Sequence, residues 1–332
     1  RWRTLRATLP LFTGTMAIAL LTACAASLAA ISLTAVSAWL IVEASYGPPI
    51  MTLLVAIVGV RFFGLCRSVL LYVSRLHLHS AVFGALGRLR SVLWTHFTQA
   101  GMSDRKMLSS DTALATMVAD ADEVRDLVPR TLFPPVVTAL VVTAVIIAAA
   151  ILDPASVPVI VVLGIINVIV VPLVFVRAEG VLANRIHVGR AMVLSLLTRA
   201  LGAKADLRAN GAEDAVLDRL AEAEDDLESA QKRSARHLGA AQLWIEASTV
   251  LAAIVIALTS GAPTEILAVV VLSTFGLADV FASALGAWRQ MPALGIALDR
   301  LPPVTGEPEV DRSFSHTPDP AFSLARLLRP FT

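Results

Sequence analysis

Five polar residues in one apolar stretch could act together: Arg61, Ser68, Tyr72, Arg75 and His79, spaced by 7, 4, 3 and 4 residues. If the stretch is helical, the eighteen residues from Arg61 to His79 make five full turns at about 3.6 residues per turn, so both lie on one face. That face is polar while its flanks are apolar, so it must meet protein or a water-filled cavity rather than lipid. An imidazole can ligate iron, and the guanidinium of Arg75, one turn away, suits a carboxylate such as a haem propionate. The plainer alternative is an ordinary hydrogen-bonded histidine near a membrane interface.

Four ionisable groups fall inside apolar runs: Arg61 itself, Arg67, Glu246 and Asp279. Arg61 lies about 11 residues into its run, or roughly 16 Å at 1.5 Å per residue, near the midplane of a bilayer. Charge at that depth is costly and needs a reason. Two are open: ion pairs of Arg61 or Arg67 with Glu246 or Asp279 across a helix bundle, or a surface facing a transported substrate.

The elements that carry these groups are set by hydropathy. The 332 residues are 56% apolar and only 16% charged, with a mean hydropathy of +0.74. A soluble domain carries about 25% charged residues. Six runs meet the roughly 20 apolar residues needed to cross the hydrocarbon core: Leu11–Leu40, Ile50–Val73, Phe133–Leu152, Val157–Val176, Gly239–Ser260 and Ile266–Leu285. The first is too long for a signal peptide, and five more follow it. The two cysteines, Cys24 and Cys66, sit inside such runs and read as inert membrane thiols.

The connections are unequal. EASYGPP, DPAS and SGAPTE are short and contain no lysine or arginine. The other two are helical excursions of charged and apolar residues at helical spacing. The first holds Arg88, Arg90, Arg105, Lys106, Arg125 and Arg130; the second holds Arg185, Arg190, Arg199, Lys204, Arg208 and Arg219, among others. Since basic residues gather on the cytoplasmic side, both excursions and both termini are expected there. The expected fold is an all-α membrane protein of six transmembrane helices with two long cytoplasmic helical hairpins. The hairpin tips break helical patterning near Gly101, Asp104 and Arg105, and near Asn210, Gly211 and Glu213. The segment beyond the second tip is amphipathic, with Leu217, Leu220 and Leu227 expected on one stripe.

Residues 1–300 thus read as one membrane domain. Residues 301–332, rich in proline and polar residues, read as a linker and the truncated start of another domain. No phosphate-cradling loop surrounds any of the three lysines, Lys106, Lys204 and Lys232, so the chain alone is expected to hydrolyse no ATP. Basic patches with interleaved aromatics, which would suggest nucleic acid, are not found.

The same residues carry a resemblance. GVRFFGLCR…LYVSRLHLHS is similar to the GVR…R…RYxERLxxHD signature of the CydC family, the transmembrane half of one subunit of a heterodimeric ABC exporter. SAWLI (37–41), MVADADEV (117–124) and ANGAEDAV resemble further family stretches in the same order, so the likeness covers about residues 28–300. It departs at Leu71, Ser74 and Ser80, where the signature has arginine, glutamate and aspartate. The resemblance implies an exporter fold in the bacterial cytoplasmic membrane that supports cytochrome bd assembly. It implies a homologous CydD-like partner and a nucleotide-binding domain that supplies ATP and Mg. It implies export of thiol reductants (cysteine or glutathione) or of haem, with haem b held at His79, Arg75 and Tyr72. A haem-binding scaffold or sensor that uses the fold without transport is the alternative. An unrelated secondary transporter would instead show inverted repeats and broken helices.

Overall fold

The computed structural model describes residues 14–101 and 111–300. Its helices are α1 (Gly14–Ser45), α2 (Ile50–Gly101), α3 (Asp111–Leu152), α4 (Val157–Ile165), α5 (Val171–Gly202), α6 (Lys204–Ala209), α7 (Glu213–Thr259), α8 (Thr264–Trp288) and α9 (Met291–Arg300). A 3-10 turn at Pro154–Ser156 precedes α4, and a π turn at Ile166–Val170 joins α4 to α5. No strand occurs among the described residues.

Six helical segments are long and apolar enough to cross a membrane: Gly14–Ser45, Ile50–Gly84, Pro129–Leu152, Pro154–Gly202, Glu213–Thr259 and Thr264–Gly295. These are the six expected spans. The 52-residue α2 and 47-residue α7 would measure about 78 and 70 Å, far more than the roughly 30 Å of hydrocarbon. The surplus forms the helical excursions. The linker assigned to 301–332, the N-terminal arginines and the tip residues Asp104 and Arg105 lie outside the described residues.

Helix α8 is the centre of the bundle and packs on α1, α3 and α7. Its Leu277 and Phe281 are fully buried beside Val141 of α3 and Ile256 of α7. Lipid tails are as apolar as leucine, so membrane helices gain mainly from close packing of small residues. α1 buries Ala19, Ala23, Ala26, Ala29 and Ala38. At Gly276 of α8, an added Cβ would sit 3.2 Å from Ile31 Cγ1; at Gly164 of α4 it would sit 2.9 Å from Val142 Cγ1. Val142 is β-branched and stiff, so Gly164→Val should lower the thermal midpoint of the purified protein by the equivalent of about 1–3 kcal/mol of overpacking. An unchanged midpoint would show that α3 and α4 separate freely.

Two buried hydroxyls stitch helices together. Ser74 of α2 donates to the Ala19 carbonyl of α1 at 2.9 Å, and Thr138 of α3 donates to the Val280 carbonyl of α8 at 3.1 Å. The departure at Ser74 thus has a structural use: a glutamate there would place a carboxylate against α1.

The short turns are locally determined. Gly47 holds φ 68°, the left-handed region that glycine enters without strain. Asp153 caps its 3-10 turn by accepting from the Ala155 amide at 3.2 Å, and Ser156 Oγ donates to the Asp153 carbonyl at 2.7 Å. Ser156 is fully buried. A membrane-impermeant maleimide should label cysteines at Ser45 and Ser260 from outside. It should reach one at Ser229 only after permeabilisation and one at Ser156 in neither case. External labelling at Ser229 would reverse the orientation.

Candidate functional site

Helix α2 runs unbroken from Arg61 to His79, so the five polar residues share one helix face. Helix α2 packs along α1 through one stripe, and Ser74 is its one buried position among those whose burial is described. Arg61, Ser68, Tyr72, Arg75 and His79 are all exposed, Tyr72 to 69%. His79 stacks obliquely on Phe83 one turn on, with ring centroids 6.5 Å apart. It makes no hydrogen bond among the described residues, so its imidazole nitrogens remain available for a ligand.

The expected ion pairs do not form within this chain. Among the described residues neither Arg61 nor Arg67 pairs with Glu246 or Asp279. The reason is topological: α2 packs on α1 and α3, whereas Glu246 and Asp279 belong to α7 and α8. Glu246 is exposed and accepts from Gln242 one turn earlier at 3.1 Å. Asp279 is exposed between buried Ala278 and Val280, pointing away from the core that its neighbours enter. All four charges therefore face outward.

The second tip is formed as a compact unit. The six-residue α6 lies between the two arms of the hairpin, α5 and α7. Asn210 donates to the Asp206 carbonyl at 2.8 Å, and Gly211 holds φ 60°. Glu213 opens α7, where it and Asp214 sit in the first turn and oppose the positive end of the helix dipole. Gly101, the described member of the first tip, ends α2.

Two polar contacts that sequence reasoning did not single out join α4–α5 to α7. Asn167, within the π turn and 2% exposed, donates to the Leu163 carbonyl at 3.0 Å and to Ser248 Oγ at 3.1 Å. Glu179, 3% exposed, accepts a short hydrogen bond from Ser234. Its other oxygen lies 3.6 Å from His237 Nδ1, too long for a hydrogen bond but within ion-pair reach, and is otherwise buried without a donor. Between the arms beyond this point lies a cleft of about 950 Å³, edged by Arg185, Arg199, Arg219 and Arg233 with Glu222 and Asp226. The apolar stripe of α7 differs from the expected one: Leu220 and Leu227 are partly buried, but Leu217 is 60% exposed. Leu217 lies about 60° around the helix from Leu220, at 100° per residue, off the face that meets α5.

Most of the chain matches a known family model. That model describes the ABC transporter transmembrane region and covers residues 12–272. The chain belongs to that family. It is also 25% identical over 292 residues to the glutathione/L-cysteine transport system ATP-binding/permease protein CydD of Bacillus subtilis. The match takes in 84% of this chain and 50% of the relative, so the chain spans about half of that relative's length.

Proposed function

We propose that this chain is one membrane half of an ATP-driven exporter that moves thiol reductants of the cysteine or glutathione class. The observation that carries this is the likeness, across most of the membrane region, to a relative whose name specifies glutathione and L-cysteine transport. A nucleotide-binding domain would supply ATP and Mg. A homologous CydD-like subunit would complete a heterodimer in the bacterial cytoplasmic membrane, with both termini cytoplasmic, in support of cytochrome bd assembly. Arg61, Arg67, Glu246 and Asp279 would then face the partner or the transport path, and the tips at Gly101–Arg105 and Asn210–Glu213 would take up motion from the nucleotide-binding domains. The test is ATP-dependent uptake of labelled cysteine and glutathione into inside-out vesicles holding the assembled complex. Uptake above that of an ATPase-dead complex is expected. Hydrolysis without uptake of either thiol would overturn this substrate class.

Haem enters this reading as a bound group or a second cargo. The residues fit one end of it: exposed His79 offers an axial nitrogen, and Arg75, exposed one turn away, offers a cation for a propionate. Tyr72 adds a phenol on the same face. Bound haem would supply a redox-active iron.

A further inference from the structure

We propose that the second hairpin is a register-locked lever, and that Glu179 is the positioning residue that clasps its two arms at the membrane edge. This rests on the exporter reading above. The contacts between the arms fall at three levels in one antiparallel register. Asn167 meets Ser248 deepest in the membrane, Glu179 meets Ser234 and His237 further along, and Gly189 packs on Leu227 beyond them. From Asn167 to Gly189 is 22 residues on one arm, and from Ser248 back to Leu227 is 21 on the other. Neither helix gains or loses a turn against its neighbour. The bar from Asn167 to the end of α5 at Gly202 is about 53 Å long at 1.5 Å per residue.

A long pair of helices held only by apolar contacts can slide or roll, because such contacts are non-directional. Hydrogen bonds fix both distance and direction. Glu179 is the fixing at which a slip would cost most, for a physical reason. Its buried carboxyl group accepts from Ser234 and lies 3.6 Å from His237, and any slip that separates them leaves it buried away from water with no donor at either oxygen. A push at the tip is therefore passed to the spans instead of being absorbed between the arms. Past the clasp the arms enclose the 950 Å³ cleft, where apolar packing alone would hold them least.

The test uses the complete transporter, with its nucleotide-binding domains and partner, and with Cys24 and Cys66 replaced by alanine. Glu179→Ala should lower ATP-driven transport about tenfold or more while ATP hydrolysis stays within about twofold, as for a lever that slips. A cysteine pair supplies the decisive arm. A Cβ built on Gly189 lies 3.6 Å from Leu227 Cβ, inside the range of about 3.5–4.5 Å that a disulfide spans. Gly189→Cys with Leu227→Cys, oxidised by copper phenanthroline, should leave transport intact and should restore it in Glu179→Ala. If Glu179→Ala does not assemble, Ser234→Ala with His237→Ala carries the same comparison. Transport blocked by the disulfide would show that the arms must slide, and would overturn the lever. Normal transport by the unlinked variants would overturn the clasp. Cross-linking yield with and without nucleotide needs no substrate: equal yields support a fixed register even if thiols prove not to be the cargo, and a nucleotide-dependent yield refutes it.

Discussion

Inserting one alanine between Val176 and Arg177, after the π turn and before Glu179, should lower transport about tenfold or more while leaving ATP hydrolysis largely in place. A π turn carries one residue more than the α-helix around it and is often kept at functional positions. Here it spans Ile166–Val170 and presents Asn167 to Ser248. The turn has thus already absorbed one extra residue, and a further one placed beyond it, in the regular helix of α5, would turn everything that follows by about 100° with a shift of about 1.5 Å. Glu179 would leave Ser234, and its carboxylate would be buried without a donor. The tip helix α6 would turn with it. Asn167→Ala is the control, since it removes one hydrogen bond of about 0.5–1.5 kcal/mol but keeps the register; its transport should fall much less. Both variants are read as thiol uptake and phosphate release in the same vesicles. Equal losses in the two would show that loss of a single polar contact suffices and that the register is not what transmits the motion.

Much of the architecture is legible in the sequence because bilayer thickness acts on length and hydropathy directly. Each of the six apolar runs became a span, and the charged continuations of α2 and α7 became helical extensions for the same reason: a helix once formed continues until a residue stops it. The short turns announced themselves through Gly47, Asp153 and the prolines. Ser156 did not, because its burial does not follow from its own type.

What the sequence withholds is which helices touch. Arg61 and Asp279 are evident as costly charges, and opposite signs at similar depth suggest a pair. Whether they meet depends on helix neighbours, and α2 does not pack on α8. The Glu179 clasp was missed for the converse reason. Glu179 and Ser234 are 55 residues apart, and each looks like one more polar residue in a charged excursion. One signal could have found them. Counted outward from the two ends of the tip helix α6 (Lys204–Ala209), and not from the break at Asn210–Glu213, Glu179 and Ser234 each stand 25 residues along their arms, so a hairpin folded about that helix brings them to one level. The same count brings Gly189 near the level of Leu227 and Asn167 near that of Ser248.

Replacing His79 by alanine should abolish the Soret band of the assembled complex purified with haem, or shift it by loss of the axial nitrogen. Expression and assembly should be unchanged, because the side chain is exposed and its one ring contact, with Phe83, is local to α2. Arg75→Ala should behave differently. It would remove a charge-assisted contact of about 1.5–3 kcal/mol, weakening haem binding by about 10- to 150-fold while the band position stays that of a histidine ligand. Arg75→Lys should recover part of the affinity, since it restores the charge but not the planar fork. The two positions therefore separate ligation from electrostatic retention: a shifted band at wild-type affinity belongs to position 79, and an unshifted band at reduced affinity to position 75. A Soret band unchanged in position and intensity in His79→Ala would leave this histidine as an ordinary exposed side chain on α2, and would remove haem from the function proposed for this face.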